Sequence, residues 1–251
     1  MNLKNYYIIL FVLCVACNTE NANDCFQVEG SIIETTFEVA EFTKLRIEGE
    51  VTLIVKQGVT QEVLIETGEN LLSDVSVSLD GETLIIKDSN KCNFFRDYGI
   101  TTAFVTSPNL TELRNSSSYD IIGDGVLSYP ELSLVSNTTG GIDDVRKGGD
   151  FILQIDCEEF RVSANGQSVF YISGVTDMAN LIFGDEAPRF EGAELIIGEL
   201  SVRQRSANKM IVNPQEKITG VIRGTGDIIA LHRPAIVEVE QFFTGQLIFQ
   251  D

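Results

Sequence analysis

The chain has 251 residues and carries 37 acidic against 18 basic residues, a formal net charge of −19 at pH 7. Proteins that bind nucleic acid neutralise phosphates with clustered Lys and Arg. This sequence has no such cluster, so nucleic-acid binding is excluded. The same charge opposes electrostatic binding to anionic lipid headgroups. The acidic residues are interspersed with apolar ones, which indicates a solvated surface around a folded core rather than a disordered tail.

The N-terminal residues predict export. Lys4 precedes an apolar run from Tyr6 to Val15, which is too short to span a bilayer as a helix but suits an export signal. An alanine then precedes Cys17, and this pair resembles the lipobox of bacterial lipoproteins, although Cys14 stands where a leucine is usual. We therefore expect residues 1–16 to be a lipoprotein signal peptide and Cys17 to carry the lipid. The alternative is an ordinary cleaved signal and a soluble secreted or periplasmic protein.

The rest of the chain predicts a short tether followed by one all-β domain. Residues 17–36 are mostly polar and are expected to form the tether after the lipidated cysteine. From 37 to 251, short apolar runs are rich in β-branched side chains and end at Gly, Asn, Asp or Ser. This pattern is typical of many short strands joined by tight turns. No long segment shows apolar residues at helical spacing.

The first part of the domain predicts antiparallel strands. Between Phe37 and about Val105 the strand-like runs lie close together in the sequence. Two of them, Val75–Leu79 and Thr83–Lys87, flank Asp80-Gly81, which is a strong signal for a hairpin turn. We expect an antiparallel hairpin region at the N-terminal end of the domain.

From about residue 104 the sequence contains a loose internal repeat. Equal steps separate Leu113 from Leu134, Phe160 from Leu181 and Leu181 from Val202, and the step from Val202 to Val221 is slightly shorter. The step from Leu134 to Phe160 is longer than the others, which predicts an inserted loop near 146–150. Short strands that recur with a period of roughly 20 residues favour a single-stranded β-solenoid, a parallel β-helix-like stack of turns. A β-sandwich is the alternative fold.

Three segments resemble a known family. They are Phe42 to Gly58, Val75-Ser76-Val77 with Leu84-Ile85-Ile86, and the glycine-rich Ile222 to Ile228. Together they are similar to the head GIN domain, the auto-transporter adhesin head found in exported lipoproteins of the Bacteroidetes type. The resemblance covers roughly residues 37–250. It implies a β-helical solenoid and a location in the cell envelope.

The cysteines predict one disulfide. After Cys17 the chain has Cys25, Cys92 and Cys157, which allows at most one bridge and one free thiol. Export to an oxidising compartment permits a bridge. Cys25 and Cys92 lie in polar, loop-like segments and are the predicted pair, whereas Cys157 is expected to be a small buried side chain. No cysteine spacing matches a zinc site, and neither a metal nor a cofactor is expected.

The sequence does not predict an enzyme. His232 is the single histidine, and no nucleophile-elbow motif precedes it. Acidic pairs occur at Asp143-Asp144, Glu158-Glu159 and Asp185-Glu186. Adjacent residues of a strand point to opposite faces, so none of these pairs forms a glycosidase-like constellation by itself. The alternative function is a polysaccharide-active enzyme, a lyase or a glycoside hydrolase, on a β-helix scaffold.

The remaining features favour a binding protein. Arg203 and Arg205 form the densest basic spot. They are a hypothetical contact for an anionic glycan, and the alternative interpretation is a solvated strand face. We expect an outer-membrane protein on its periplasmic or cell-surface face, attached to the membrane only through the lipid. Its expected role is non-catalytic adhesion, or the binding of a glycan or an envelope protein, and a purely structural role is a further hypothesis.

Overall fold

The computed structural model describes residues 24–90, 92–94, 96–142 and 145–250. The predicted signal peptide and Cys17 lie outside these residues. The described chain contains two short 3-10 helices, Asp24–Phe26 and Leu72–Asp74, and otherwise strands and turns. The strands are β1 Ile32–Thr36, β2 Lys44–Gly49, β3 Val51–Gln57, β4 Glu62–Gly68, β5 Val75–Asp80, β6 Thr83–Asp88, β7 Thr101–Ser107, β8 Glu112–Ser117, β9 Ile121–Leu127, β10 Glu131–Ser136, β11 Phe151–Ala164, β12 Val169–Phe183, β13 Arg189–Gln204, β14 Met210–Ile222, β15 Ile228–Ala230, β16 Ile236–Gln241 and β17 Leu247–Phe249.

The prediction of an all-β fold is confirmed. All seventeen described strands belong to one curled sheet of mixed orientation. A β-sandwich would divide them between two separate sheets, whereas hydrogen bonds connect every described strand here.

Most of the sheet consists of two parallel ladders. Ladder A contains β6, β2, β8 and β10, then the second halves of β11 to β14, then β16. Ladder B contains β7, β3 and β9, then the first halves of β11 to β14, then β15 and β17. From β8 to β17, successive segments of the chain therefore join the two ladders alternately, and the long strands β11 to β14 take part in both.

Antiparallel strands are confined to the N-terminal part of the described chain. β5 pairs with β6 across the predicted Asp80-Gly81 turn, β4 pairs with β7, and β1 pairs with β4. β1 lies within the segment expected to be a tether, so the folded region begins before the predicted boundary at residue 37. The sequence did not reveal this strand because half-exposed β1 has only a short, mostly polar pattern.

The register of the repeat differs in three places from the prediction. Leu113 pairs with Leu134, and Leu181 with Val202, as predicted. Leu134 pairs with Val162 rather than with Phe160, and Phe160 pairs with Ala179 rather than with Leu181. A slip of two residues keeps the same side chains on the inner face, so alternation alone cannot distinguish the two registers.

The third difference involves Gly220. Val202 pairs with Gly220 rather than with Val221. A Cβ atom at Gly220 would lie 1.9 Å from the carbonyl oxygen of Val202, and its φ of 129° is one that other residues rarely adopt. Val221 consequently lies on the outer face, beside Arg203. The long step between repeats falls between the end of β10 at Ser136 and the start of β11 at Phe151.

The core is one continuous apolar cluster between the ladders. Aromatic rings fill its middle turns: Phe151 and Phe170 stack with centroids 4.7 Å apart, and Phe170 contacts Phe183 at 5.8 Å. All three side chains are fully buried. Phe170 pairs with Phe151 on one side and with Phe190 on the other, and Phe183 contacts it from the far end of the same strand, so its ring is packed among other rings rather than against solvent.

We expect Phe170→Ala to destabilise the protein by about 3–5 kcal/mol, since it leaves a cavity in the middle of this aromatic column. Urea unfolding followed by circular dichroism measures the change. Phe243→Ala is the matched control, because Phe243 is 63% exposed and its removal is expected to change stability by less than about 0.5 kcal/mol. Equal unfolding midpoints for the two variants would contradict the packing described here.

Candidate binding surface

The end of β13 presents two arginines on one face. Alternate residues of a strand point to the same side, and Val202 and Gln204 are buried while Arg203 and Arg205 are exposed. Both guanidinium groups therefore point outward from ladder A. The structure brings together the two residues that the sequence analysis predicted as a binding surface.

A third arginine, from the next turn, joins this pair. The backbone N–H of Arg223 donates to the carbonyl oxygen of Gln204 at 2.7 Å, which places Arg223 beside Arg205. Arg203, Arg205, Arg223 and Val221 line a cavity of about 640 Å³. We call this group the arginine cluster. The sequence analysis missed Arg223, although its distance from Arg205 along the chain is close to the repeat period.

The arginine cluster is not neutralised within the described chain. None of its three side chains forms an ion pair or a hydrogen bond with any residue that the structure describes. Arg223 instead stacks over the ring of Phe242, with 4.9 Å from its guanidinium carbon to the ring centroid. Glu240 pairs with Val221 in the following turn but lies beyond ion-pair distance.

Other arginines in the sheet are neutralised by their own strands. In each case the partner is a glutamate two residues away on the same face: Arg46 with Glu48, Arg114 with Glu112, Arg161 with Glu159 and Arg189 with Glu191. Like charges in neighbouring positions of a sheet repel. Three unpaired cations in a chain of net charge −19 therefore form a surface that an anion would stabilise.

The structure contains the predicted disulfide. It joins Cys25 to Cys92, with the sulfur atoms 2.08 Å apart, and so ties residues near the N-terminal end to the loop before β7. Cys157 is free and buried. Burial raises the pKa of its thiol to about 11, so this cysteine is an unreactive core residue, as the sequence predicts.

The candidate catalytic residues do not assemble into a site. His232 is exposed in the turn between β15 and β16. Glu159 pairs with Arg161, and an oxygen of Glu186 lies 2.5 Å from Nζ of Lys147. Asp143-Asp144 lies outside the described residues. In the part of the chain that the structure describes, no group of three or more His, Cys, Asp or Glu side chains could hold a metal ion.

Several aspartates instead have a structural role that the sequence did not indicate. Each lies just before a strand of ladder B and accepts a backbone N–H from the next turn. Asp120 accepts from Asp150 at 2.8 Å, Asp150 from Val169 at 2.7 Å, and Asp227 from Gln246 at 2.9 Å. These side chains join successive turns where the backbone ladder is interrupted.

Within the described residues, the structure has no helix with the length and apolar character needed to cross a membrane.

Comparison with known proteins identifies the family. A family model described as "Putative auto-transporter adhesin, head GIN domain" matches residues 41–234. The chain therefore belongs to the head GIN domain family, as the sequence segments at Phe42 to Gly58 and Ile222 to Ile228 indicated. None of the curated proteins compared with this chain matches it.

Solved structures share the fold. A protein from Bacteroides fragilis described as a putative adhesin superposes with a TM-score of 0.77 at 18% identity, covering 88% of this chain and 97% of that one. A second, from Parabacteroides merdae and also described as a putative adhesin, has a TM-score of 0.63 at 15% identity and covers 88% and 97%. A third, from Parabacteroides distasonis and described as a putative lipid binding protein, has a TM-score of 0.61 at 14% identity and covers 88% and 98%.

Asp150 gives a prediction of pH dependence. Burial raises the pKa of Asp150, although the hydrogen bond from Val169 partly opposes this. Because its pKa is higher in the folded than in the unfolded state, ionised Asp150 destabilises the folded protein at neutral pH. This destabilisation disappears as the pH falls through the folded-state pKa and the carboxylate is protonated. Asp150→Asn keeps an oxygen acceptor for Val169 without the charge. We expect it to raise the thermal midpoint at pH 7 by roughly 2 °C.

The difference between Asp150→Asn and wild type should shrink when the measurement is repeated near pH 4. Asp227→Asn is the control, because Asp227 accepts the same kind of hydrogen bond in a more exposed setting. If Asp150→Asn lowers the midpoint by the same amount at every pH, burial of the charge is not what sets its effect.

Proposed function

We propose that this protein is a non-catalytic binding module of the cell envelope, and that its arginine cluster binds the acidic groups of a glycan. The observation that carries the proposal is the unpaired state of Arg203, Arg205 and Arg223 in an otherwise strongly acidic chain. Guanidinium groups form bidentate, charge-assisted hydrogen bonds with carboxylates and sulfates. Membership of a family of adhesin heads, and the putative adhesins of the same fold, agree with such a role.

The geometry suits an extended anionic chain better than an isolated ion. Arg203 lies near the end of β13 and Arg205 just after it, two residues and about 7 Å further along the chain, and Arg223 is one strand spacing away, at about 4.8 Å. These backbone separations allow the three side chains to contact acidic groups on more than one sugar unit.

A lipid phosphate would offer similar chemistry, and one protein of the same fold is described as a putative lipid binding protein. We favour the glycan because a net charge of −19 repels an anionic membrane surface, whereas a soluble acidic polymer can reach a local cationic site. The test below includes both.

Binding is favoured over catalysis because the cavity is lined by Arg203, Arg205, Val221 and Arg223. A lyase or a glycoside hydrolase needs a proton-transferring group beside its substrate. The carboxylate in the described chain whose pKa is raised, Asp150, serves a backbone hydrogen bond instead.

We further propose that the curled sheet is a β-solenoid in which each turn of the chain adds a rung to both ladders, as the register of β11 to β14 supports. We also propose that Cys17 is lipidated and anchors the protein at the outer membrane, on its periplasmic or cell-surface face.

The arginine cluster is tested by isothermal titration with polygalacturonate, heparin, anionic phospholipid vesicles and neutral dextran. We expect the two acidic polysaccharides to bind and dextran not to bind to the cluster. Each of Arg203→Ala, Arg205→Ala and Arg223→Ala should weaken binding about tenfold, the loss of roughly 1.5 kcal/mol from one charge-assisted contact. The affinity should fall as salt is added.

Arg161→Ala is the matched control, because Arg161 is an exposed arginine whose charge is paired with Glu159. It should leave the affinity for the acidic polysaccharides unchanged. Equal losses for Arg161→Ala and the cluster variants would show non-specific charge attraction. Binding to vesicles but to neither polysaccharide would assign the cluster to lipid, and turnover of a polysaccharide would overturn the non-catalytic proposal.

Lipidation is tested by labelling bacteria that express the full chain with a fatty-acid analogue. Wild type should incorporate the label and Cys17→Ser should not, since the thiol at position 17 is the proposed acceptor. Cys14→Ser is the control, because position 14 belongs to the proposed signal peptide and the variant should still be labelled. Equal labelling of Cys17→Ser and wild type would refute the anchor.

A further inference from the structure

A row of outward-facing side chains runs along ladder B from β3 to β17. Successive turns pair its members directly, so they lie side by side across the sheet. In ladder order the row consists of Ile54, Ile122, Ile152, Tyr171, Glu191, Ile211, Ile229 and Ile248. Isoleucine therefore occupies every place in this row except two neighbouring ones, Tyr171 and Glu191.

A groove lies at these two places. Its volume is about 440 Å³, within the usual range for a small-ligand site. Ile152 and Tyr171 are among its lining residues, and they are 42% and 46% exposed. Its polar lining residues are Gln154, Ser173, Glu191 and Glu194. We call it the tyrosine groove.

Irregularities in three nearby pairings shape the groove, whereas the pairing of β11 with β12 between them is regular. The register shifts between Ile152 and Gln154 where β11 meets β9, and between Tyr171 and Gly174 where β12 meets β13. It shifts again where β13 meets β14, because β13 has more residues than β14 between the paired positions on either side of the shift. The excess residues of β13 include Ala193 and Glu194, both exposed, and they form one wall. Bulges of this kind re-aim side chains and are over-represented beside functional sites.

The polar groups of the groove are available to a ligand. No residue that the structure describes hydrogen-bonds the side chains of Gln154, Tyr171, Ser173 or Glu194, whereas Glu191 pairs with Arg189. Together they provide an amide, two hydroxyls and a carboxylate around an exposed aromatic ring. An amide and a hydroxyl can both donate and accept, and a carboxylate accepts.

We propose that the tyrosine groove binds a sugar unit of an uncharged polysaccharide. A pyranose has an apolar C–H face, which the exposed ring of Tyr171 can cover, and a rim of hydroxyl groups, which Gln154, Ser173 and Glu194 can hydrogen-bond. The unpaired carboxylate of Glu194 repels carboxylates and sulfates, so this groove disfavours the acidic polymers proposed for the arginine cluster. The two sites lie on different ladders, and one selects an acidic ligand and the other an uncharged one.

The test measures binding of maltohexaose, cellohexaose and mannohexaose to the purified protein by isothermal titration. We expect at least one of the three to bind. Tyr171→Ala should weaken that binding about tenfold, the change that about 1.4 kcal/mol of lost ring contact produces, while Tyr171→Phe should retain most of it. Glu194→Gln should weaken it less than Tyr171→Ala. Far-UV circular dichroism should show all three variants folded, since both side chains are exposed.

Phe104→Ala is the matched control, because Phe104 is an exposed aromatic residue paired with Ile54 in the same ladder, outside the groove. It should not change oligosaccharide binding. The affinity for polygalacturonate should be unchanged in Tyr171→Ala, which separates failure of this proposal from failure of the arginine cluster.

The absence of binding by all three oligosaccharides would overturn the proposal, as would equal affinity in wild type and Tyr171→Ala. A fatty-acid probe, oleate, provides the remaining comparison. Binding of oleate that survives Tyr171→Leu would assign the groove and its isoleucine row to an aliphatic ligand and would also overturn the proposal.

Discussion

The parallel pairing of backbone segments from successive turns is the constraint on which the rest of the structure depends. Strands in a sheet are about 4.8 Å apart and expose alternate side chains on opposite faces. Once a turn is in register with its neighbour, every inner position receives a column of side chains, such as Phe151 and Phe170, and every outer position a row. The aromatic core, the arginine cluster and the isoleucine row all follow from this pairing.

Several of the acidic residues have specific structural roles in this sheet. The corners use Asp120, Asp150 and Asp227 as hydrogen-bond acceptors between turns. Along the strands, glutamates two residues from an arginine neutralise it locally, as Glu112 does for Arg114. Much of the excess negative charge therefore remains on the solvated surface, and three arginines without an ion pair lie together at the end of β13 and in the turn after β14.

Alternating apolar residues and a regular repeat were sufficient to predict an all-β fold, the hairpin at Asp80-Gly81 and the pairing of Leu181 with Val202. These patterns did not predict the features that depend on register or on local irregularity. Ala179 rather than Leu181 faces Phe160 because a two-residue slip preserves the pattern, and Gly220 takes an inner position because the backbone there approaches Val202 too closely for a side chain. Arg203 and Arg205 could be chosen from their spacing, but Arg223 depends on the register. The tyrosine groove depends on bulges that no local pattern marks.

The order of strands in ladder A has a consequence for how the chain reaches its folded state. β2 lies between β6 and β8, so Lys44 pairs with both Thr83 and Glu112. β2 can therefore form its parallel pairs only after β6 and β8 have been synthesised, much later in the chain. Phe170, by contrast, pairs with Phe190 in the next strand. Closing a long loop costs conformational entropy before its ends can form contacts, and this slows folding. The C-terminal turns are therefore suited to assemble by short-range contacts, and the N-terminal turns to complete last although they emerge first.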